Sequence, residues 1–368
     1  MRLSFIAVFI LFFAGAFLPA YGASCYYCHD IHGGIPKGIH RGGVARCDVC
    51  HTMHNSQDGA PVDPDSPSGN PWLLSRSNST DVCLNCHAGY VGNVFGSDPL
   101  NPPYEIGAGN FVFLLEDNVN DGHGGSANPV PGRGAGHNVI SPDRGVAADP
   151  VLSTAPGGTF PSDLLACTSC HDPHGNPDFR MLYGAGREVQ DGLYTFSNPA
   201  PDAEGLSIYH GRERAGRHTA YRGGTSAWCA NCHEEYHQNE TDFVHPSGVA
   251  IGQAMADAYN GYDGTDDPLG GGATVSYLPL VPFEDADVTI YSSEGPGAES
   301  RVMCLTCHRA HASSAADAGR WDFQVTFLED DGAESGSYPI PDPYGSANQR
   351  SLCNKCHVKD LFDGPNPG

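Results

Sequence analysis

Basic residues are scarce in this 368-residue chain: 19 Lys and Arg stand against 43 Asp and Glu, a formal net charge of −24. A nucleic-acid surface needs clustered cations to neutralise phosphates, so the balance argues against that partner. Aliphatic side chains are also in short supply. Apolar residues make up 39% of the chain, while 47 glycines and 29 prolines form a fifth of it, against a usual share near ~12%. A chain so rich in turns cannot build a large conventional core from its own side chains. Beyond the N-terminus no apolar run is long enough to span a membrane. Methionines number five including Met1, too few to be a general metal ligand. No Ser-His-Asp pattern or phosphate loop is present. What is missing most completely is an unpaired cysteine.

The N-terminus sets the redox compartment. Arg2 supplies a positive start, and Phe5 to Leu18 is an almost unbroken apolar run, shorter than the roughly 20 residues a bilayer span needs. Pro19 ends it, and Ala20-Tyr21-Gly22 offers small residues at a cleavage point. Residues 1–22 read as a secretory signal peptide, which leaves 23–368 as one exported domain. Cys25 lacks the leucine three residues earlier that a lipoprotein would carry.

All fourteen cysteines fall in seven Cys-x-x-Cys-His motifs: Cys25-Cys28-His29, Cys47-Cys50-His51, Cys83-Cys86-His87, Cys167-Cys170-His171, Cys229-Cys232-His233, Cys304-Cys307-His308 and Cys353-Cys356-His357. Two thiols three apart can add to the two vinyl groups of one porphyrin, with the next histidine under the ring as the proximal iron ligand. Disulfides and structural zinc sites make no demand for a histidine after every second cysteine. Thioredoxin-like sites occur singly in a βαβ setting. The reading is seven covalent haem c groups, each an apolar disc with two tethers that serves as core and cross-link. The motif starts are 22, 36, 84, 62, 75 and 49 residues apart, so no repeat of fixed length underlies them.

Eighteen histidines less seven proximal ones leave eleven. Histidine on both faces of an iron closes it to substrates, which suits electron transfer rather than catalysis. Four motifs continue as Cys-His-x-x-His, adding His32, His54, His174 and His311; His237 follows His233 with one more residue between. Residues three or four apart on a turn share a face, so such a histidine cannot easily cap its partner's iron. It is expected to reach a second haem packed alongside. His137, His245 and His40 lie in turn-rich sequence and complete a set of eight distal candidates for seven places. His123, His210 and His218 sit in polar stretches and read as solvated surface residues.

Between the motifs, Phe111 to Leu115, Thr274 to Leu280 and Trp321 to Leu328 read as short strands or buried loops. Trp228 to His237 and Arg350 to Leu361 read as single helices. The rest favours turns. The expected fold class is mostly irregular coil with short helices and a few short strands, cored by haem. The acidic stretches Glu116 to Asp121, Asp263 to Asp267 and Glu329 to Glu334 read as solvated loops; the first fails calcium-loop spacing at Val119.

The surroundings of the motifs closely resemble the OmcS-like family of filament-forming, hexahaem outer-surface cytochromes of metal-reducing bacteria. The shared stretches are GGVA-C-x-x-CHTMHNS at 42–56, TAPGGT at 154–159, C-x-SCHDPHG at 167–175 and WCANCH at 228–233. They continue as HP at 245–246, LPLVPFE at 278–284, CLTCHRAHAS at 304–313 and LCNKCH at 352–357. The resemblance implies a mostly coil fold with bis-histidine haems stacked in one chain. It also implies subunits polymerised into an extracellular electron-conducting filament whose partners are neighbouring copies, other cytochromes and extracellular acceptors. In that family the second histidine of CHTMH, here His54, ligates a haem of the adjoining subunit. Its implied target is the haem on Cys304 and Cys307, with proximal ligand His308.

The chain departs from the family in residues 23–41, which precede the hexahaem-like body at 42–357 and carry the additional motif at Cys25. That motif lengthens the chain of haems, branches from it, or hands the bridging role to His32; the sequence leaves these open. A monomeric carrier and a small-molecule reductase are the rival functions. The reductase needs an iron with an open face, and all seven motifs end in histidine.

Overall fold

The computed structural model describes residues 47–357 apart from 58, 89–93, 100, 104–106, 116–118, 121–128, 131, 190–191, 207–211, 238–243, 264–270, 329–342 and 346–348. The signal peptide, the extension at 23–41, Cys25, Cys28, His29, His32 and His40 therefore lie outside the described residues. So do His123, His210 and most of the three acidic stretches.

Regular structure is sparse and gathers around the motifs. Helix α1 (Ser79–His87) carries Cys83, Cys86 and His87. The Asn78 side chain caps its start, accepting the Asp81 N–H at 2.9 Å, and the Asn78 amide donates back to the Asp81 carboxylate at 2.6 Å. Such a cap satisfies a backbone donor that has no partner within the helix. Asp81 is itself buried and accepts the Ser141 hydroxyl, which ties α1 to the loop at 141. Helix α2 (Thr225–Cys229) starts after Gly224 at φ 86°, a left-handed turn that glycine takes without steric cost. Helix α3 (Gly252–Gly261) carries no motif, and α4 (Cys304–Cys307) is a single motif turn. Four two-stranded antiparallel ribbons complete the regular elements among the described residues. They are β1 (Ser56–Gln57) with β2 (Ala60–Pro61), β3 (Val119–Asn120) with β4 (Pro129–Val130), β5 (Glu188–Val189) with β6 (Tyr194–Thr195), and β7 (Asp202–Glu204) with β8 (Ala220–Gly223).

Several local expectations change. Phe111–Leu115 is a buried 3₁₀ turn, not a strand, because Asn110 pins it: the Asn110 carboxamide oxygen accepts the N–H groups of Gly96 at 2.9 Å and Val112 at 3.0 Å. Thr274 to Leu280 contributes one 3₁₀ turn at Ala273–Val275, while Trp321 to Leu328 keeps the loop alternative, with Trp321, Val325 and Leu328 buried and Phe323 exposed. The helix expected over Trp228 to His237 breaks after Cys229 and resumes as a 3₁₀ turn at Glu234–His237. Of Arg350 to Leu361, the described part forms one 3₁₀ turn at Leu352–Lys355.

Apolar side chains form three small clusters instead of one core. Leu84, Phe95, Phe111 to Leu114 and Val139 pack behind α1. Tyr259, Tyr277, Phe283, Trp321 and Leu352 pack near the C-terminal motif. Phe160, Val189 and Phe196 pack against Trp228. Lys355 is fully buried beside the second cluster; its ammonium donates to the Tyr259 carbonyl at 2.7 Å and lies 4.2 Å from the Tyr259 ring. Ring contact and hydrogen bonding compensate its lost hydration.

Clusters this small do not offset the chain entropy of more than 300 residues. A chain secreted without covalent haem is expected to lack stable structure; limited proteolysis should degrade it completely while the haem-bearing protein resists.

Candidate haem-binding sites

Each described motif is a single closed turn. The histidine N–H donates to the carbonyl of the first cysteine, four residues back, at 2.8 Å for His51 and 3.0 Å for His171, His233, His308 and His357. The Cys83 motif lies in α1, whose hydrogen bonding does the same. That turn places two thiols and one imidazole on the same side of the backbone.

All twelve described cysteines line one cavity of about 3710 Å³, together with His51, His87, His171, His233, His308 and His357. The motifs follow one another along it in sequence order. Cys50 neighbours Cys83, and the Cys83 thiol is hydrogen-bonded to Cys167. Cys170 neighbours Cys232, and Cys229 is hydrogen-bonded to Cys304. Cys307 neighbours Cys353 and Cys356. Thiol pairs, imidazoles and apolar walls in this order are a donor set suited to a row of porphyrins in close succession. Close backbone approach needs glycine at Gly158, where any Cβ would collide with the Cys232 carbonyl.

Five further histidines line the cavity: His137, His174, His237, His245 and His311. Three of them face a proximal ring at one spacing. Ring centroids are 6.3 Å apart for His174 and His51, 6.0 Å for His137 and His233, and 6.1 Å for His245 and His357. Two imidazoles on opposite sides of one metal, with bonds of about 2 Å each, stand roughly 6 Å apart between centroids. His311 lies near enough to His171 for their charges to interact. His174 thus meets the motif two places back and His311 lies near the motif two places back, whereas His54, the second histidine of the first described motif, does not enter the cavity.

Backbone carbonyls fix the tautomers. Nδ1–H donates from His51 to Trp72 (2.9 Å), His171 to Arg180 (2.9 Å), His308 to Asp317 (2.8 Å), His233 to Pro156 (2.7 Å), His137 to Ala310 (2.8 Å) and His245 to Pro246 (3.0 Å). A carbonyl only accepts, so each ring keeps the Nε2 lone pair free for a metal. Burial holds the rings neutral, the form that ligates. It pushes His137 down to about 4 and His311 down to about 3, and it lowers His171, His233 and His357.

Three sites share a feature with no signal in the sequence. Trp72 and Leu73, Arg180 and Met181, and Asp317 and Ala318 all have φ between 52° and 58°. In each pair the first carbonyl takes the histidine Nδ1–H. The second accepts the N–H after the histidine: Thr52 to Leu73 at 2.6 Å, Asp172 to Met181 at 2.8 Å, Arg309 to Ala318 at 2.7 Å. Two residues further on, an N–H returns to the second cysteine carbonyl: Ser75 to Cys50, Tyr183 to Cys170 and Arg320 to Cys307. Left-handed backbone costs on the order of 1–2 kcal/mol per residue with a Cβ. Three hydrogen bonds at about 1 kcal/mol each offset that cost at every clamp.

Two histidines stand apart. His54 is exposed and does not line the cavity, nor does the exposed Leu73, whereas Met53 and Trp72 do line it. His218, expected on the surface, is buried at 1% exposure. Its ring nitrogens each lie 2.8 Å from a carbonyl, of Thr219 and Ser292, and it stacks on Tyr277 at 3.5 Å. Its ring N–H donates to one of these carbonyls, and the ring joins no motif. Among the described residues no helix is long and apolar enough to cross a membrane.

One outcome follows from this geometry. His174→Ala should open one face of a haem held at Cys47 and Cys50, and magnetic circular dichroism should then register one high-spin ferric haem.

Comparison with known proteins agrees with the arrangement. No family model matches the chain. The C-type cytochrome OmcS of Geobacter sulfurreducens is 32% identical, over 88% of this chain and 94% of its own. Two solved structures match at 30% identity, each over 87% of this chain and 100% of theirs. The Outer Membrane Cytochrome S filament from Geobacter sulfurreducens does so with a TM-score of 0.76, and a cryo-EM structure of the OmcS nanowires from that organism with 0.74. A mostly coil fold, a row of haem-attachment turns and this likeness along nearly its whole length make the chain a member of the OmcS family of multihaem c-type cytochromes.

Proposed function

We propose that this chain is the subunit of an extracellular filament that conducts electrons through seven covalent bis-histidine haems per subunit. The observation that carries the proposal is a shortage of one ligand. Six proximal histidines line the cavity with five distal candidates, and the one remaining described candidate, His54, points out of it. A facing imidazole at about 6 Å is seen for His51, His233 and His357, and the His308 ring instead meets Phe323 edge-on at 5.3 Å.

Skipping one motif supplies the assignment. The third described motif serves the first, through His174 and His51, and the fifth serves the third, through His311 and His171. By the same step His237 serves the haem of Cys83 and Cys86. His54, in the first, serves a haem two places before it, which in a six-membered body is the one at Cys304 and Cys307 of a neighbouring copy. The exposed Leu73, which like His54 does not line the cavity, provides apolar contact for such a junction. Cys25 and Cys28, with His29 as proximal ligand, hold the seventh haem, for which His32 and His40 are the remaining distal candidates.

The protein's own groups position iron and leave it no open face. They do not activate a substrate. Each haem supplies a one-electron carrier when bound, and the protein keeps its ligands unchanged in both oxidation states. The role is therefore electron transfer rather than enzymatic catalysis.

Cryo-electron microscopy of the secreted protein tests this reading. Filaments with an unbroken row of haems are expected, and monomers with isolated haems would refute it. His54→Ala should abolish filaments and leave one high-spin haem per subunit. The same losses on His32→Ala, with His54→Ala silent, would move the junction to His32.

A further inference from the structure

Proximal rings at His51, His171 and His308 are gripped by the same three backbone hydrogen bonds, each time through two consecutive left-handed residues. The three dipeptides have no side-chain chemistry in common. Trp72 and Leu73 are 70% and 49% exposed, the Arg180 guanidinium reaches away to the Leu206 carbonyl at 2.7 Å, and Ala318 is a methyl group. Only the backbone recurs. The chain holds 47 glycines, yet none at these six positions. A residue with a Cβ has a small left-handed well, φ about +50° to +70°, whereas glycine moves over a much wider range. Side chains at these positions therefore hold the acceptor carbonyl in one direction. His233 is held differently, by the carbonyl of Pro156, which is not left-handed.

We propose that the dipeptides Trp72–Leu73, Arg180–Met181 and Asp317–Ala318 are positioning elements that fix the ring orientation and donor strength of the proximal histidine at alternate haems. They make those three haems one matched class along the row. The proposal rests on the haem reading above. The physical link is direct: a hydrogen bond from Nδ1–H strengthens Nε2 as a donor, and its direction sets how the ring is turned about the metal–nitrogen bond. Both alter the ligand field and the potential of the iron.

The test uses the full secreted protein with its haems attached. Ala318→Val places a β-branched residue at φ 55°, a conformation it does not tolerate, whereas Ala318→Gly keeps the turn and widens the well. Low-spin electron paramagnetic resonance and spectroelectrochemical titration are the readouts. The valine variant should shift the g values and midpoint of one haem and leave the others in place; glycine should keep that signal's position and broaden it. Unmoved spectra in a valine variant with full haem content would overturn the positioning role. Should Ala318→Val not be secreted, the pair Leu73→Val and Leu73→Gly, at a half-exposed site, decides by the same criteria. A covalent-haem assay separates the two claims, because missing haem would refute the haem reading itself.

Discussion

One hydrogen bond underlies the rest of this molecule: the histidine N–H donating to the carbonyl of the cysteine four residues earlier, repeated at every described motif. It closes a turn that needs no hydrophobic face and no neighbouring element, which is what a chain poor in aliphatics can build. The turn orients two thiols and an imidazole together. Longer-range order then consists of placing such turns in a row and supplying each proximal ring with a second imidazole. Helices, ribbons and the three apolar clusters are attachments to that row, and their small size reflects it.

The fold class was legible from composition because glycine and proline exclude long regular elements wherever they are dense. That the described motif thiols and histidines share one cavity was legible because the Cys-x-x-Cys-His pattern repeats residue types at fixed spacing. Distal assignment was only half legible. His174 and His311 carry a visible signal in Cys-His-x-x-His, but spacing alone cannot reveal that the turn throws them two motifs back. His137 and His245 have nothing in their sequence neighbourhood that names a target; only the fold brings them 6.0 Å and 6.1 Å from their partners. His218 misled in the other direction, since polar neighbours hid two buried carbonyls waiting for its ring.

Least legible of all were the left-handed clamps. Sequence patterns report side-chain chemistry, and Trp-Leu, Arg-Met and Asp-Ala have none in common. A backbone conformation adopted by unrelated residues leaves no trace in one sequence, and spacing hides it as well. The clamp lies 21 residues after His51, but 9 after His171 and 9 after His308. The repeat in this protein is therefore one of hydrogen bonds and not of residues.

The motif-skipping ligand pattern has a consequence for the order of synthesis. A haem attached at Cys47 has its proximal histidine at once, but its facing ring, His174, is made more than 120 residues later. At Cys229 and Cys353 the order is reversed, because His137 and His245 already exist when those thiols emerge. If these rings ligate iron as proposed, a haem held at Cys47 would wait during export for its second imidazole, while haems held at Cys229 and Cys353 would find theirs already made.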